Sequence, residues 1–350
     1  MMPMTLLLAA TGWNADPWLE RFRRLLPGRT VVDFRAPYDP AAVRYVACWK
    51  PPRDLLAALP NLEVIFNLGA GVDALLADPT LPDRPIVRIV NPDLTSRMRD
   101  YVVLHVLYHH RRMHRLADAQ RRHDWADFDQ PAPEAVRVGI LGFGALGRAA
   151  GRALADLGFQ VAAWSRSGAT EPPTARSGAT EPLSSRSGAT EPPTARSGAT
   201  EPAAGADIAV FGGAAGLAPF LARTDILVVL LPLTAETRGL IDRAFLGGLA
   251  KDGPLGGAVL INAGRGGLQV EADILAALDD GTLLSATLDV FEKEPLDAAS
   301  PLWDHPRVVV TPHNAADSDP EALAAHVAEH IGRYEAGLGL VDVVDRGRGY

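Results

Sequence analysis

Short blocks of consecutive apolar residues alternate along the chain with longer stretches in which apolar positions recur every three or four residues. The blocks at 5–8, 30–34, 43–49 and 64–68 predict strands, and the amphipathic stretches 18–26 and 54–59 predict helices between them. Strands that are apolar on both faces, in strand–helix–strand order, predict a parallel sheet covered on both sides. The run 95–119 contains neither glycine nor proline and predicts one long helix bridging two lobes. A second series then opens, with strands predicted at 136–141, 159–164, 226–231, 258–262, 284–288 and 308–310 and a helix at 145–157. A last helix, predicted at 321–334, returns the chain to the first lobe. The pattern predicts an α/β protein of two doubly wound parallel sheets, with ligands bound in the cleft between lobes.

Composition narrows what such a protein binds. The 350 residues are 47% hydrophobic, enough for two cores. Lys and Arg number 34 against 42 Asp and Glu, a net charge of −8 that opposes non-specific binding to nucleic acid or anionic lipid. The longest apolar run, 226–231, is far short of the ~20 residues a membrane helix needs, so no membrane partner is expected. Cys48 is the one cysteine, which excludes an intrachain disulfide framework. The apolar start, 4–10, lacks the basic flank of a secretory signal and reads as a buried strand, so the expected location is the cytoplasm. One segment fits no core. Arg166-Ser-Gly-Ala-Thr-Glu-Pro-Pro-Thr-Ala175 recurs from Arg176 and Arg186, and truncated from Arg196, with Leu183 as its only large apolar residue. Residues 166–202 are therefore expected to form a disordered tandem-repeat insert.

Four motifs carry chemistry. Gly142-Phe-Gly-Ala-Leu-Gly147 follows a predicted strand and opens a helix, the arrangement in which Gly142, Gly144 and Gly147 give a tight turn, close approach to a pyrophosphate and close helix packing, with Phe143, Ala145 and Leu146 between them. Where an NAD site places an acid at the end of the next strand, this chain reads Trp164-Ser-Arg-Ser167. Ser165, Arg166 and Ser167 suit a 2′-phosphate, so NADP(H) is the expected cofactor, with NAD(H) possible; an arginine opening a solvated loop is the plain alternative. Ile261-Asn-Ala-Gly-Arg265-Gly-Gly267 holds an arginine among glycines at a strand end, suited to pairing with a carboxylate. Leu288-Asp-Val-Phe-Glu-Lys-Glu294-Pro and Thr311-Pro-His313-Asn-Ala315 place an acid and a histidine beyond two further strands, where they can form an acid–base pair.

In this order the motifs resemble the D-isomer-specific 2-hydroxyacid dehydrogenases, and within them the glyoxylate/hydroxypyruvate reductase A branch. The likeness also takes in Cys48-Trp-Lys-Pro-Pro52, Asn67-Leu-Gly-Ala-Gly-Val-Asp73, Leu231-Pro-Leu-Thr and the end of the chain, Val344-Asp-Arg-Gly-Arg-Gly-Tyr350. It implies a Rossmann nucleotide-binding domain, 99–315, inserted into a flavodoxin-like substrate domain made of 1–98 and 316–350, and a homodimer. It implies that Arg265 anchors the carboxylate of a small 2-oxo or 2-hydroxy acid and polarises its carbonyl, that His313 is the general acid, and that Glu294 orients and charges His313. By the same resemblance Ala70 and Gly71 complete the carboxylate cradle, Trp49 walls the pocket, Leu231, Pro232 and Ala263 line the cofactor, and Asp289 meets the nicotinamide carboxamide. The implied reaction is NADPH-dependent reduction of glyoxylate and hydroxypyruvate. A reductase for another 2-oxo acid such as pyruvate, and a dinucleotide-sensing corepressor on the same scaffold, are the alternatives.

The hydride chemistry requires no metal. His105, His109, His110 and His114 recur at helical spacing on the bridging segment and are read as packing, as are Trp13, Trp18 and Trp125.

Overall fold

Every residue of the first strand, β1 (Thr5–Ala10), is buried, because each of its two faces meets a separate layer. Leu6, Leu8 and Ala10 pack toward Trp18, Leu19 and Phe22, while Leu7 and Ala9 point the other way, toward Leu56, Leu59 and Leu62. The computed structural model describes residues 4–168 and 208–350. After β1 come α1 (Asp16–Leu25), β2 (Thr30–Asp33), β3 (Val43–Trp49), β4 (Val64–Asn67), α2 (Asp73–Leu76) and β5 (Ile86–Val87). They form a parallel five-stranded sheet in the order β2-β1-β3-β4-β5.

Two helices, α3 (Pro92–His110) and α4 (Met113–Arg121), lead to the second sheet. Its elements are β6 (Arg137–Leu141), α5 (Ala145–Asp156), β7 (Gln160–Ser165), β8 (Ala209–Gly212), α6 (Gly213–Ala222), β9 (Ile226–Val229), α7 (Arg243–Gly247), β10 (Ala258–Asn262), α8 (Glu271–Asp279), β11 (Leu283–Leu288) and β12 (Val308–Val310). The strands lie parallel in the order β12-β11-β10-β9-β6-β7-β8, so the winding reverses between β6 and β9, where a doubly wound sheet opens a ligand crevice. The last helix, α9 (Pro320–Glu335), crosses back and buries Leu323, Val327 and Ile331 against the first sheet's core. Two α/β units with a Rossmann-type second sheet are what the apolar pattern predicts.

Three expectations need correction, and one strand was not expected at all. Residues 54–59 form turns rather than a helix: they lie between Pro52 and Pro60, and Asp54 takes a left-handed φ of 63°, leaving too little chain to nucleate one. The single helix expected at 95–119 is broken at Arg112, whose φ is 53°. Its guanidinium donates to the carbonyl of Pro254 and lies over the Phe128 ring, contacts no local pattern announces. The strand β8 escapes the pattern altogether, being a short, incompletely buried edge. Trp125 is not packed: it is 98% exposed, whereas Trp13 stacks on both Trp18 and Trp49. The expected insert 166–202 lies outside the described residues from 169 onward.

Candidate active site

The glycine turn forms as its spacing requires. Gly142 has φ 109°, and a Cβ there would stand 2.8 Å from the Leu230 carbonyl of the neighbouring strand. A Cβ on Gly147 would stand 2.1 Å from the Gly142 carbonyl oxygen, so α5 packs on the turn only because that position is bare. Gly144, the N-cap of α5, faces open space with nothing within 4 Å of a Cβ. The amides of Ala145, Leu146 and Gly147 begin the helix beside that opening, a cradle for a dinucleotide's pyrophosphate. Phe143 is buried beneath it. At the end of β7, the Ser165 hydroxyl is buried without a hydrogen-bond partner among the described residues. Arg166 pairs with Glu236 at 3.1 Å and lies over the ring of Tyr350, 5.4 Å from its centroid. A buried orphan hydroxyl and a cation at this strand end fit the ribose 2′-phosphate of NADP; Ser167 follows in the same turn.

Arg265 stands just beyond β10. Its Nε donates to Asp73 Oδ1 at 3.0 Å and its Nη1 to the Gly264 carbonyl at 2.8 Å. The guanidinium tip crosses to the first sheet: a Cβ on Gly71 would lie 1.4 Å from Nη2. The loop carrying Ala70 and Gly71 is held by the Asn67 side-chain amide, which donates to the carbonyls of Gly69 and Gly71. A Cβ on Gly69 would meet the Trp49 ring at 2.4 Å, so Trp49 walls the same loop. Asn262, fully buried, accepts from the Gly264 amide and donates to Gln269, fixing the turn between Ala263 and Arg265.

The acid and the histidine meet. His313 Nδ1 lies 2.7 Å from Glu294 Oε2. Burial pushes the Glu294 carboxyl up, but the hydrogen bond and charge of His313, the Phe291 amide and the Lys50 charge outweigh it, and the net direction is down. The carboxylate form of Glu294 is therefore the favoured one. His313 takes φ 52° while its amide donates to the Asp289 carbonyl at 2.8 Å. Asp289, buried, accepts from the Thr311 hydroxyl and from the amides of Asn314 and Ala315, so it organises the loop that presents His313. Those three bonds leave about one acceptor direction for a carboxamide.

Contacts tie these parts into one cleft. A Cβ on Gly266, next to Arg265, would lie 1.8 Å from the Phe291 carbonyl oxygen, which brings the arginine turn against the loop that carries Glu294. From the first sheet, Trp49 reaches the Gly69–Gly71 loop and Lys50 bears on Glu294. Leu231 and Pro232 follow β9 at the winding reversal. Asp73, Lys50 and Tyr350 stand inside motifs quoted above without a role of their own, and Glu236 stands in none; for Asp73, a charge beside a glycine turn is the signal the sequence offers. An arginine, an acid–histidine pair and a glycine turn held in this way can serve the reduction of a carboxylated carbonyl compound by a dinucleotide.

A family profile described as "D-isomer specific 2-hydroxyacid dehydrogenase, NAD binding domain" matches residues 103–186 and 199–315. The chain belongs to the D-isomer specific 2-hydroxyacid dehydrogenases. It is thus a member of an oxidoreductase family. A glyoxylate/hydroxypyruvate reductase A of Serratia proteamaculans is 35% identical over 344 residues, 97% of either chain. Among solved structures, the NADPH-dependent glyoxylate/hydroxypyruvate reductase of Sinorhizobium meliloti, in complex with NADP and sulfate, is 41% identical with a TM-score of 0.84 over 99% of both chains. The D-isomer specific 2-hydroxyacid dehydrogenase of Xanthobacter autotrophicus, in complex with NADPH and MES, is 37% identical with a TM-score of 0.84 over 99% of this chain and 100% of that one. The histidines of the bridging helix lie elsewhere in this dehydrogenase: His109 is sandwiched between Ser285 and Thr287 of β11, and His105 reaches Thr287. Burial above all pulls His109 down to about 3, leaving it a neutral hydrogen-bonding core residue.

Proposed function

We propose that the protein reduces glyoxylate to glycolate and hydroxypyruvate to D-glycerate with NADPH. What supports this reading is Arg265 seated against Gly71 and steadied by Asp73, with its turn packed on the loop that carries Glu294, the partner of His313. Gly142, Gly144, Gly147 and the start of α5 would hold the pyrophosphate, Ser165, Arg166 and Ser167 the 2′-phosphate, and Leu231, Pro232, Ala263 and Asp289 the nicotinamide end. When bound, NADPH supplies the hydride that reduces the carbonyl carbon.

The chain's own residues do the rest. The Arg265 guanidinium, steadied by Asp73, pairs with the substrate carboxylate together with the amides of Ala70 and Gly71. It also draws electron density toward the carbonyl oxygen, where negative charge builds during reduction. Protonated His313 gives its proton to that oxygen, forming the hydroxyl group of the product, and Glu294 accepts from the ring's Nδ1–H, orienting the charged ring so that its other nitrogen faces the substrate. Trp49, stacked behind Gly69, limits the side chain a substrate can carry.

A second copy of the chain is the proposed partner. Leu104, Met113 and Trp125 are exposed apolar residues in and just after the α3–α4 arm, which supports a homodimer through that arm. The cytoplasm is the proposed location.

The test is absorbance loss of NADPH and NADH with glyoxylate, hydroxypyruvate and pyruvate. Turnover is expected with the first two acids, faster with NADPH. No turnover with any of the three would overturn the reading.

A further inference from the structure

The proposed reduction leaves one group of side chains at the end of the molecule unused. His326 and His330, one turn apart on α9, and Asp342, in the segment that follows, each offer one ligand atom, and these atoms all lie within 4.8 Å of one another. The two histidines are buried, with ring centroids 4.1 Å apart.

The hydrogen bonds fix which nitrogens are left over. His330 Nδ1 is 2.8 Å from the His326 carbonyl oxygen and donates to it, so a neutral ring carries its lone pair on Nε2. That Nε2 is buried without a partner among the described residues, in a side chain only 3% exposed, and it faces Asp342 Oδ2 at 3.9 Å. His326 Nε2 is 3.2 Å from the Arg88 carbonyl, which leaves the other ring nitrogen basic. Each histidine thus gives one N–H to a backbone carbonyl, the arrangement that orients ligating imidazoles. With His330 neutral, its Nε2 lone pair and the Asp342 carboxylate are two acceptors in opposition, which a bound cation relieves.

We propose that His326, His330 and Asp342 bind a divalent transition-metal ion of the zinc class. Two imidazoles and one carboxylate favour zinc over magnesium or calcium, and water completes the shell. The site ties three parts together. The Asp342 carbonyl accepts from the Arg88 amide, Val343 bridges Val87 of β5, and the segment ends at Tyr350 beneath Arg166.

The experiment uses the full-length chain without an affinity tag, stripped with a chelator and titrated with zinc sulfate by calorimetry and thermal melting. One zinc per chain and a rise in Tm of about 3–5 °C are expected, with no rise in magnesium. Cobalt(II) in place of zinc should give visible d–d absorption. His330→Ala should weaken zinc binding at least about 100-fold while leaving the rate of NADPH oxidation unchanged. Asp342→Asn, at the more exposed ligand, serves if His330→Ala does not fold. Absence of saturable one-to-one binding, or binding retained by these variants, overturns the proposal.

Discussion

Arg265 owes its direction to two bare backbones and one acid. Gly71 leaves the room its Nη2 occupies, Gly266 lets the turn close on Phe291, and Asp73 takes Nε. A residue's type was legible in the sequence here, but its orientation was not: an arginine among glycines announces an anion site, whereas Asp73 becomes its partner only after two sheets meet. The His313–Glu294 pair was equally legible as an acid and a histidine beyond two strands, while the support from Lys50 depends on a strand from the other sheet. Glu294 carries a prediction. Its folded value is depressed, so its contribution to stability is present above the ordinary carboxylate value and is lost as pH falls through the depressed one. Glu294→Gln should lower kcat for reduction by about 100-fold, because it replaces the charged acceptor that orients the His313 ring. A kcat within a few-fold of the parent's in steady-state assays would remove Glu294 from this role.

Strand ends position the chemistry at the scale of elements. The turn after β6, the turn after β7, the loop after β10 and the loops after β11 and β12 all sit at the carboxyl ends of one parallel sheet. Buried strands such as β9 and β10 were readable because covering both faces demands an unbroken apolar block. β8 was not readable, since an edge strand needs no such block, and the helix break at Arg112 was not, since distant contacts at Pro254 and Phe128 impose it. At the end of β7, Arg166 is held by Glu236, which a 2′-phosphate would displace. Replacing Arg166 by Asp should weaken NADPH binding by about 10- to 100-fold and change NADH little, because a charge-assisted contact contributes about 1.5–3 kcal/mol. Glu236→Gln should act in the opposite direction, tightening NADPH. Calorimetric titration of both cofactors checks the pair, and equal effects on NADPH and NADH would sink the assignment of the phosphate reader.

Across the whole molecule, two parallel sheets supply the residues of the proposed site, and α9 returns the chain to the first sheet's core. Which helix would return to which sheet was legible from its amphipathic pattern, and α9 packs where that pattern sends it. The tryptophans were legible only in part: Trp13 and Trp18 pack, whereas Trp125 stands in solvent at 98% exposure, which makes sense if a second copy covers it. Trp125→Asp should shift the protein from dimer to monomer in analytical ultracentrifugation, with folding unchanged by circular dichroism; a parent that is already monomeric contradicts the proposed partner. The central claim is that Arg265 and His313 act on one carbonyl oxygen. A crystal structure with NADP and oxamate, a 2-oxo acid mimic that is not reduced, tests it most directly. The account predicts the oxamate carboxylate paired with Arg265 and its carbonyl oxygen within hydrogen-bond distance of both Arg265 and His313. Oxamate seated in another crevice, or a His313 ring turned away from its carbonyl, would contradict it.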